Sequence, residues 1–543
     1  MQARTSWFRR PSGSGFVAGL SAGAVASGVM LLLSNTQGGL SLPQEFGSAL
    51  LALMPPPMFA FLHQFIGENA KYDFFLLVLV GQCAVFALAG ALFNRYTNRQ
   101  NAPLRSYQGL VLALGLWLFT GLVLLPLSGS GIFGANLTVG VDGGMLSLAV
   151  VGLTFGALFI FAQRWLVAST RTHAAAAAVE DEGSVHPTRR VLLKQGAVAL
   201  GAVAVGLGLW KFIIQGPGRV ARVPVASLLQ GYRSRIIPPP VPAYGSLQPA
   251  PLFSSEVTPN DQYYVVSKNF TDPTVSEHEW SLQVTGLVEE PYTLSYQELL
   301  ALPMQQQYES MECISNEVGG SYMSNALWEG VRLADLLAKA GVRPGATKIV
   351  LHAYDNYADS IHLSKALEPT TLVAVHMNNT TLPDGHGYPA RVLVPGIYGM
   401  KHVKWLTRIE VVAYDFQGYW QQRGWSDAAP VRLNARIDTP LDGSQVHAHR
   451  PTYVAGVAFS GNLGISEVDV SLNGGKTWQM ATLKRPLSPW TWVLWEIPWV
   501  PEPGNFTVVV RAIDMQGNVQ SPQEQPTLPN GASGYHTIGV SAS

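Results

Sequence analysis

Four stretches of this chain, 15–34, 74–93, 108–128 and 145–167, are long and apolar enough to cross a bilayer as helices. Backbone in lipid has no water to bond, so a single span must be helical. None of the four contains His, Asp or Glu. They therefore offer no histidine ligand for a haem and no obvious proton path. They read as an anchor or as a docking surface for another membrane protein, with lipid around them. A shorter apolar stretch, 191–214, is a fifth candidate span. The segment 49–65 is also apolar but is broken by Pro55, Pro56 and Pro57, and it reads as interfacial or re-entrant.

Basic residues set the orientation of such spans. Arg4, Arg9 and Arg10 precede the first; Arg95, Arg99 and Arg105 lie between the second and third; Arg164, Arg171, Arg189 and Arg190 close and follow the fourth. The opposite loops, 35–72 and 129–144, hold only Lys71 among Lys and Arg. The basic segments are assigned to the cytoplasm, and five crossings then place everything after about residue 215 outside it. The fifth candidate opens with TRRVLLK (188–194), which resembles a twin-arginine export signal. That pathway carries folded proteins, which suits a domain that takes up a cofactor before it crosses.

The 543 residues are too many for one core, and 35 basic residues balance 35 acidic ones. No basic surplus points to nucleic acid. The two cysteines, Cys83 and Cys313, lie in segments of opposite character, so a disulfide between them is not expected. No spacing suits a zinc or iron–sulfur site, and no CxxCH attaches a haem.

Residues 215–252, with the run IIPPPVPAYGSLQPAP, read as an extended linker. Beyond it the pattern is mixed. Strands are expected at 280–286, 349–352, 371–376 and 391–394, and short helices at 296–301 and 333–339. From about 431 short strands recur at 452–459, 466–472, 491–497 and 505–512, with a hairpin at Gly474-Gly475. This is the rhythm of an immunoglobulin-like β-sandwich, here without an inter-sheet cysteine pair. Cys313 stands in small and polar surroundings ahead of an apolar run (Ala326, Leu327, Trp328, Val331) that leads into a short helix. Taken alone, such a thiol is either an inert buried cysteine or a ligand and nucleophile.

Three segments together resemble the sulfite oxidase family of molybdopterin oxidoreductases over roughly 250–543. They are MECIS around Cys313, HGYPAR from His386 to Arg391 with its continuation VLVPGIYGMKHVKWLTRIEV to Val411, and VDVSLNGGKTW at 468–478. The resemblance implies a multi-domain chain. Its parts are a four-helix membrane region (1–170), a cytoplasmic loop and fifth helix (171–214), a linker (215–252), an α+β molybdopterin domain (253–430) and an immunoglobulin-like dimerisation-type domain (431–543). It also implies a molybdenum–molybdopterin cofactor, with no haem or iron–sulfur cluster in this chain. Cys313 becomes the protein thiolate on the metal, a soft donor that coordination deprotonates. The pterin contacts fall on Lys268, Asn269, Asp355, His386, Arg391, His402, the main chain of Val403, and Lys404, with Arg391 and Lys404 on the phosphate. Lys268 stands where the family has arginine, and Asp355 falls near an acidic pterin contact.

The likeness breaks at the substrate. Val318, Trp425 and Gly464 replace a family arginine, tyrosine and arginine that surround the sulfite dianion. A pocket lined by Val318 and Trp425 is expected to favour a neutral or partly apolar substrate. Trp425 is then the catalytic-site aromatic, and Glu317 either lines the cavity or satisfies donors in the turn. The function expected is two-electron oxygen-atom transfer on a small, non-sulfite molecule, reducing an S- or N-oxide or running a related oxidation. Sulfite oxidation is one alternative. An exported binding module that kept the fold and lost the chemistry is the alternative of another class. Electrons would pass through a separate redox partner, a cytochrome or a membrane quinone enzyme. The sandwich, through which family members pair, allows a homodimer.

Overall fold

The computed structural model describes residues 13–37, 39–53, 70–99, 105–137, 139–177, 254–269 and 272–543. The triple proline, the twin-arginine-like segment, the fifth candidate span and the proline-rich linker lie outside them. The chain divides into two compact units, an N-terminal helical one and a C-terminal body.

In the helical unit α1 (Ser14–Gln37) is followed by the shorter α2 (Leu42–Leu53), then α3 (Ala70–Arg99), α4 (Tyr107–Phe119) and α5 (Gly140–Ala177). The segments Ser14–Ser34, Phe74–Asn98, Tyr107–Leu127 and Gly140–Leu166 are helical, and each is long and apolar enough to cross a membrane. Apolar side chains gain little from one another in lipid, so close backbone packing has to hold such helices together. Glycines make that approach: a Cβ on Gly90 would lie 2.4 Å from the Gly15 carbonyl oxygen. A buried polar chain adds to it. Gln163 Nε2 donates to Asn94 Oδ1 at 2.6 Å, and Asn94 Nδ2 donates to Ser14 Oγ at 3.4 Å.

The body opens with a mixed sheet of order β2-β1-β10-β5-β6. Its strands are β1 (Ser281–Gly286), β2 (Tyr292–Ser295), β5 (Lys348–Ala353), β6 (Ala358–His362) and β10 (Leu406–Val412). Only β1 and β10 run parallel. A second sheet, β3-β4-β7-β8 with β9 against β7, is built from β3 (Gln305–Glu312), β4 (Met323–Arg332), β7 (Leu372–Met377), β8 (Thr380–Thr381) and β9 (Arg391–Leu393). One apolar core joins them: Leu282, Ile349 and Ile409 meet Trp328, Val373 and Leu393. Helix α6 (Tyr296–Leu300) starts in a capping box, with Ser295 and Glu298 bonding each other's backbone N–H. Helix α7 (Leu333–Ala340) buries Leu333, Leu336, Leu337 and Ala340 at helical spacing.

The C-terminal part is a two-sheet sandwich. One sheet is β11-β13-β17-β16 and the other β12-β19-β18-β14-β15. Their strands are β11 (Asn434–Thr439), β12 (Ser444–Val446), β13 (Thr452–Phe459), β14 (Ile465–Ser471), β15 (Gln479–Met480), β16 (Thr482–Leu483), β17 (Val493–Trp499), β18 (Gly504–Asp514) and β19 (His536–Ala542). Val454 and Trp495 face Val468, Val508 and Val510 in its core. The sandwich also covers the outer edge of β3. Ser310 N–H donates to the Trp490 carbonyl at 2.9 Å, and Ser488 Oγ donates to the Tyr308 carbonyl at 2.6 Å. An edge strand left bare would invite mispairing, and here it is closed.

Candidate active site

Cys313 follows directly on β3. Its N–H donates to the Tyr322 carbonyl at 3.0 Å, and its carbonyl accepts from Asn316 N–H at 3.0 Å. Asn316 Oδ1 in turn accepts from Tyr322 N–H at 2.9 Å, closing the loop between β3 and β4. The thiol is buried, with Sγ 3.0 Å from Ser315 Oγ. Burial pushes the thiol pKa up, Ser315 works against that, and Glu312 adds to it. A thiol held this way is a poor free nucleophile. It suits a ligand that loses its proton only when a metal binds.

Cys313 lies in the wall of a cavity whose other walls come from four short segments, completed by Asp355, Tyr357 and Arg391. The first is 263–268, where Lys268 Nζ donates to the Asp355 carbonyl at 2.9 Å and sits 3.4 Å from Asp355 Oδ2. The second is the loop before β9. His386 Nε2 donates to the Asn260 carbonyl at 3.1 Å, which leaves Nδ1 as an acceptor. Burial, helped by Arg391, holds the His386 pKa down to about 4, so the ring is neutral.

The third segment, 399–405, brings His402, Val403 and Lys404. His402 Nδ1 accepts from Val394 N–H at 3.4 Å, and Nε2 donates to the Ile397 carbonyl at 3.1 Å. Both ring nitrogens are thus used inside the protein, and burial holds this pKa down to about 3. The Val403 carbonyl accepts from Val392 N–H at 2.9 Å. Lys404 Nζ donates to the Gly385 carbonyl at 3.0 Å. The fourth segment supplies Trp420 and Trp425, stacked with centroids 4.2 Å apart.

Arg391, on β9, ties these walls together. Nη1 donates to the His386 carbonyl at 3.1 Å and Nη2 to the His402 carbonyl at 3.2 Å. The side chain is buried, and among the described residues no carboxylate lies within ion-pair distance of it.

Nine of the ten site residues expected from the sequence line this one cavity: Lys268, Cys313, Asp355, His386, Arg391, His402, Val403, Lys404 and Trp425. Asn269 follows Lys268 and is not part of the lining. Two expectations need correcting. Val318 does not face the thiol. The loop turns back at Gly319, where φ is 78°, and sends Val318 into a separate crevice against the sandwich. Gly464 is not in the lining either. Glu317 is exposed, and it is its carbonyl, not its carboxylate, that serves the turn, accepting from Gly320 N–H at 2.8 Å.

Sequence reasoning missed a buried ion network behind the wall. Lys401, 1% exposed, donates to Asp359 at 2.8 Å and to Asp427 at 2.9 Å, and Lys348 reaches Asp427 at 2.7 Å. Tyr357, which lines the cavity, donates to Asp359 at 2.9 Å. Lys401 stands beside His402 in the sequence, and the 359 and 427 positions look like ordinary surface acids. No local pattern joins them.

Residues 269–420 match the family model for an oxidoreductase molybdopterin binding domain, and 428–530 match a Mo-co oxidoreductase dimerisation domain. The chain is 31% identical to the sulfite oxidase of Arabidopsis thaliana over 330 residues, which cover 50% of this chain and 83% of that protein. The chain belongs to the sulfite oxidase family. Mitochondrial sulfite oxidase of Macaca fascicularis is also 31% identical, over 50% of this chain and only 58% of that longer protein. A crystal structure of the sulfane dehydrogenase SoxCD from Paracoccus pantotrophus aligns at a TM-score of 0.48 and 24% identity, over 54% of this chain and 86% of that one.

A molybdopterin-binding domain of the sulfite oxidase family makes the chain an oxidoreductase and implies a molybdenum–molybdopterin cofactor. The cavity fits that group. Among the described residues, Arg391 Nε, the Tyr263 and Tyr264 hydroxyls and Trp425 Nε1 are buried polar atoms without a hydrogen-bond partner, and all four belong to lining residues. Leaving each unpaired costs about 1–3 kcal/mol, and a ligand rich in donors and acceptors removes that penalty. The uncompensated guanidinium suits an anion, and the buried thiol suits a soft metal.

Proposed function

We propose that the body works by oxygen-atom transfer on a small, neutral or weakly polar substrate, outside the cytoplasmic membrane, with Cys313 as the protein ligand to molybdenum. The observation that supports this best is the sharing of one cavity by the buried thiol and the four unpaired polar atoms. When bound, the cofactor supplies a metal that exchanges one oxygen atom and two electrons with the substrate. The chain holds and orients it. Arg391, Lys404 and the free Nδ1 of His386 meet the pterin and its phosphate. His402 acts through the loop that its ring bonds fix. Lys268 and Asp355, already paired, close the rim.

The reaction in the reductive direction takes a sulfoxide or N-oxide, two protons and two electrons to the deoxygenated product and water. The electrons come from a separate redox partner, a cytochrome or a membrane quinone enzyme. The substrate reading rests on the approach to the thiol. Trp420 and Trp425 form an aromatic wall, and Lys268 is neutralised by Asp355. Such a surface pays little for a neutral guest and offers a dianion little.

Steady-state assays with sulfoxides, N-oxides and sulfite, using artificial electron donors and acceptors, test this. The fastest turnover is expected with an oxide and a reduced dye. Sulfite as the best substrate would overturn the substrate assignment and leave the cofactor assignment standing. That second reading has support in the relatives, whose names are sulfite oxidases.

A further inference from the structure

The loop that carries Cys313 does not hold its shape alone. Glu312, the last residue of β3, is buried between it and the sandwich. Its Oε1 accepts from Asn316 Nδ2 at 2.9 Å, and its Oε2 accepts from Asn434 Nδ2 at 2.9 Å. The orientation of both amides is fixed independently. Asn316 Oδ1 already accepts from Tyr322 N–H, and Asn434 Nδ2 also donates to the Arg432 carbonyl at 3.0 Å. Glu312 therefore has to accept from both sides, which a carboxylate does and a glutamine does not. Two further contacts come from the sandwich. Arg436 Nη1 donates to the Gly320 carbonyl at 2.7 Å, and a Cβ on Gly319 would lie 2.3 Å from His536 Nε2.

We infer that strand β11 of the sandwich is a built-in positioning element for Cys313, acting through the Asn434–Glu312–Asn316 chain. The sandwich is then more than a pairing surface: it completes the thiol site within one chain. Glu312, Asn316 and Asn434 are positioning residues, since none of them lines the cavity. The inference rests on Cys313 being the working thiol, and two readouts separate the two ideas.

Three full-length variants are compared with wild type: Asn434→Ala, Glu312→Gln and, as a control, Val454→Ala, which weakens the sandwich core away from the loop. In cofactor-loaded protein the thiolate-to-metal absorption band is expected to shift in Asn434→Ala and Glu312→Gln and to stay in place in Val454→Ala. In cofactor-free protein, alkylation of the Cys313 peptide by iodoacetamide is expected to speed up at least about tenfold in the first two and to be unchanged in the control. Alkylation rates that match wild type in Asn434→Ala and Glu312→Gln, or that rise equally in Val454→Ala, overturn the positioning role, whether or not the variants load metal. A wild-type protein loaded with metal yet lacking a thiolate band overturns the ligand assignment instead.

Discussion

Glu309 shows how burial reshapes charge around this thiol. It is 0% exposed, and burial holds its pKa up to about 8 against the Gln307 hydrogen bond and the nearby Arg391. A carboxyl whose folded pKa lies above its unfolded value contributes stability in full below the unfolded value, about 4.5 here, and loses it as pH rises through about 8. His386 and His402 work the other way. Their neutral rings contribute fully above about 6.5 and lose that contribution as pH falls towards about 4 and about 3. Glu309→Gln cannot ionise, so its melting temperature should fall less than that of wild type between about pH 6 and 9. Parallel profiles would mean that Glu309 carries no proton at neutral pH. At Arg391 the expectation is sharper still. Arg391→Lys keeps the charge, but a point-like ammonium lacks the planar fork whose separate nitrogens meet the two loop carbonyls, so molybdenum content should drop along with stability by about 2 kcal/mol. Full metal loading of this variant, measured by elemental analysis, would argue against the guanidinium as a cofactor contact.

At the scale of elements, the walls of the cavity are short loops held from behind. Lys401 and Asp359 form a buried pair at 2.8 Å, so removing one partner strands the other. Lys401→Met should cost about 3–5 kcal/mol, read from denaturant unfolding, and the double change with Asp359→Asn should recover part of it. An additive double variant would show that the pair is not coupled. This scale is also where sequence reading succeeded and failed for physical reasons. Helix α7 buries a regular face, and the sandwich strand at 452–459 is an almost unbroken apolar run buried on both sides, so both patterns were readable. Strand β3 was not. Gln307, Glu309, Ser310 and Glu312 are all buried, so polar residues sit where an alternating pattern demands apolar ones. Those residues are buried because the sandwich and the cavity wall enclose the strand, which is a tertiary fact. The misplacement of Val318 has the same origin. Its direction is set by Gly319 against His536, a partner more than two hundred residues away in sequence.

Taken whole, the molecule joins a helical unit, able by length and apolarity to sit in a membrane, to a body of the sulfite oxidase family. The segments that converge on one cavity were legible because chemistry restricts them: a buried thiol, HGYPAR and the HVKW run. The role of the four helices was not, because an apolar, nearly uncharged composition carries no ligand-binding pattern. The match to a dimerisation domain supports pairing of chains through the sandwich. Sedimentation of the detergent-solubilised protein should give twice the chain mass, and a monomer at micromolar concentration would contradict that pairing.

We propose Cys313 as the protein's sulfur ligand to molybdenum. X-ray absorption at the molybdenum edge of full-length wild type and Cys313→Ser tests it most directly. The variant should show one sulfur neighbour fewer around the metal; an unchanged sulfur shell would contradict the claim.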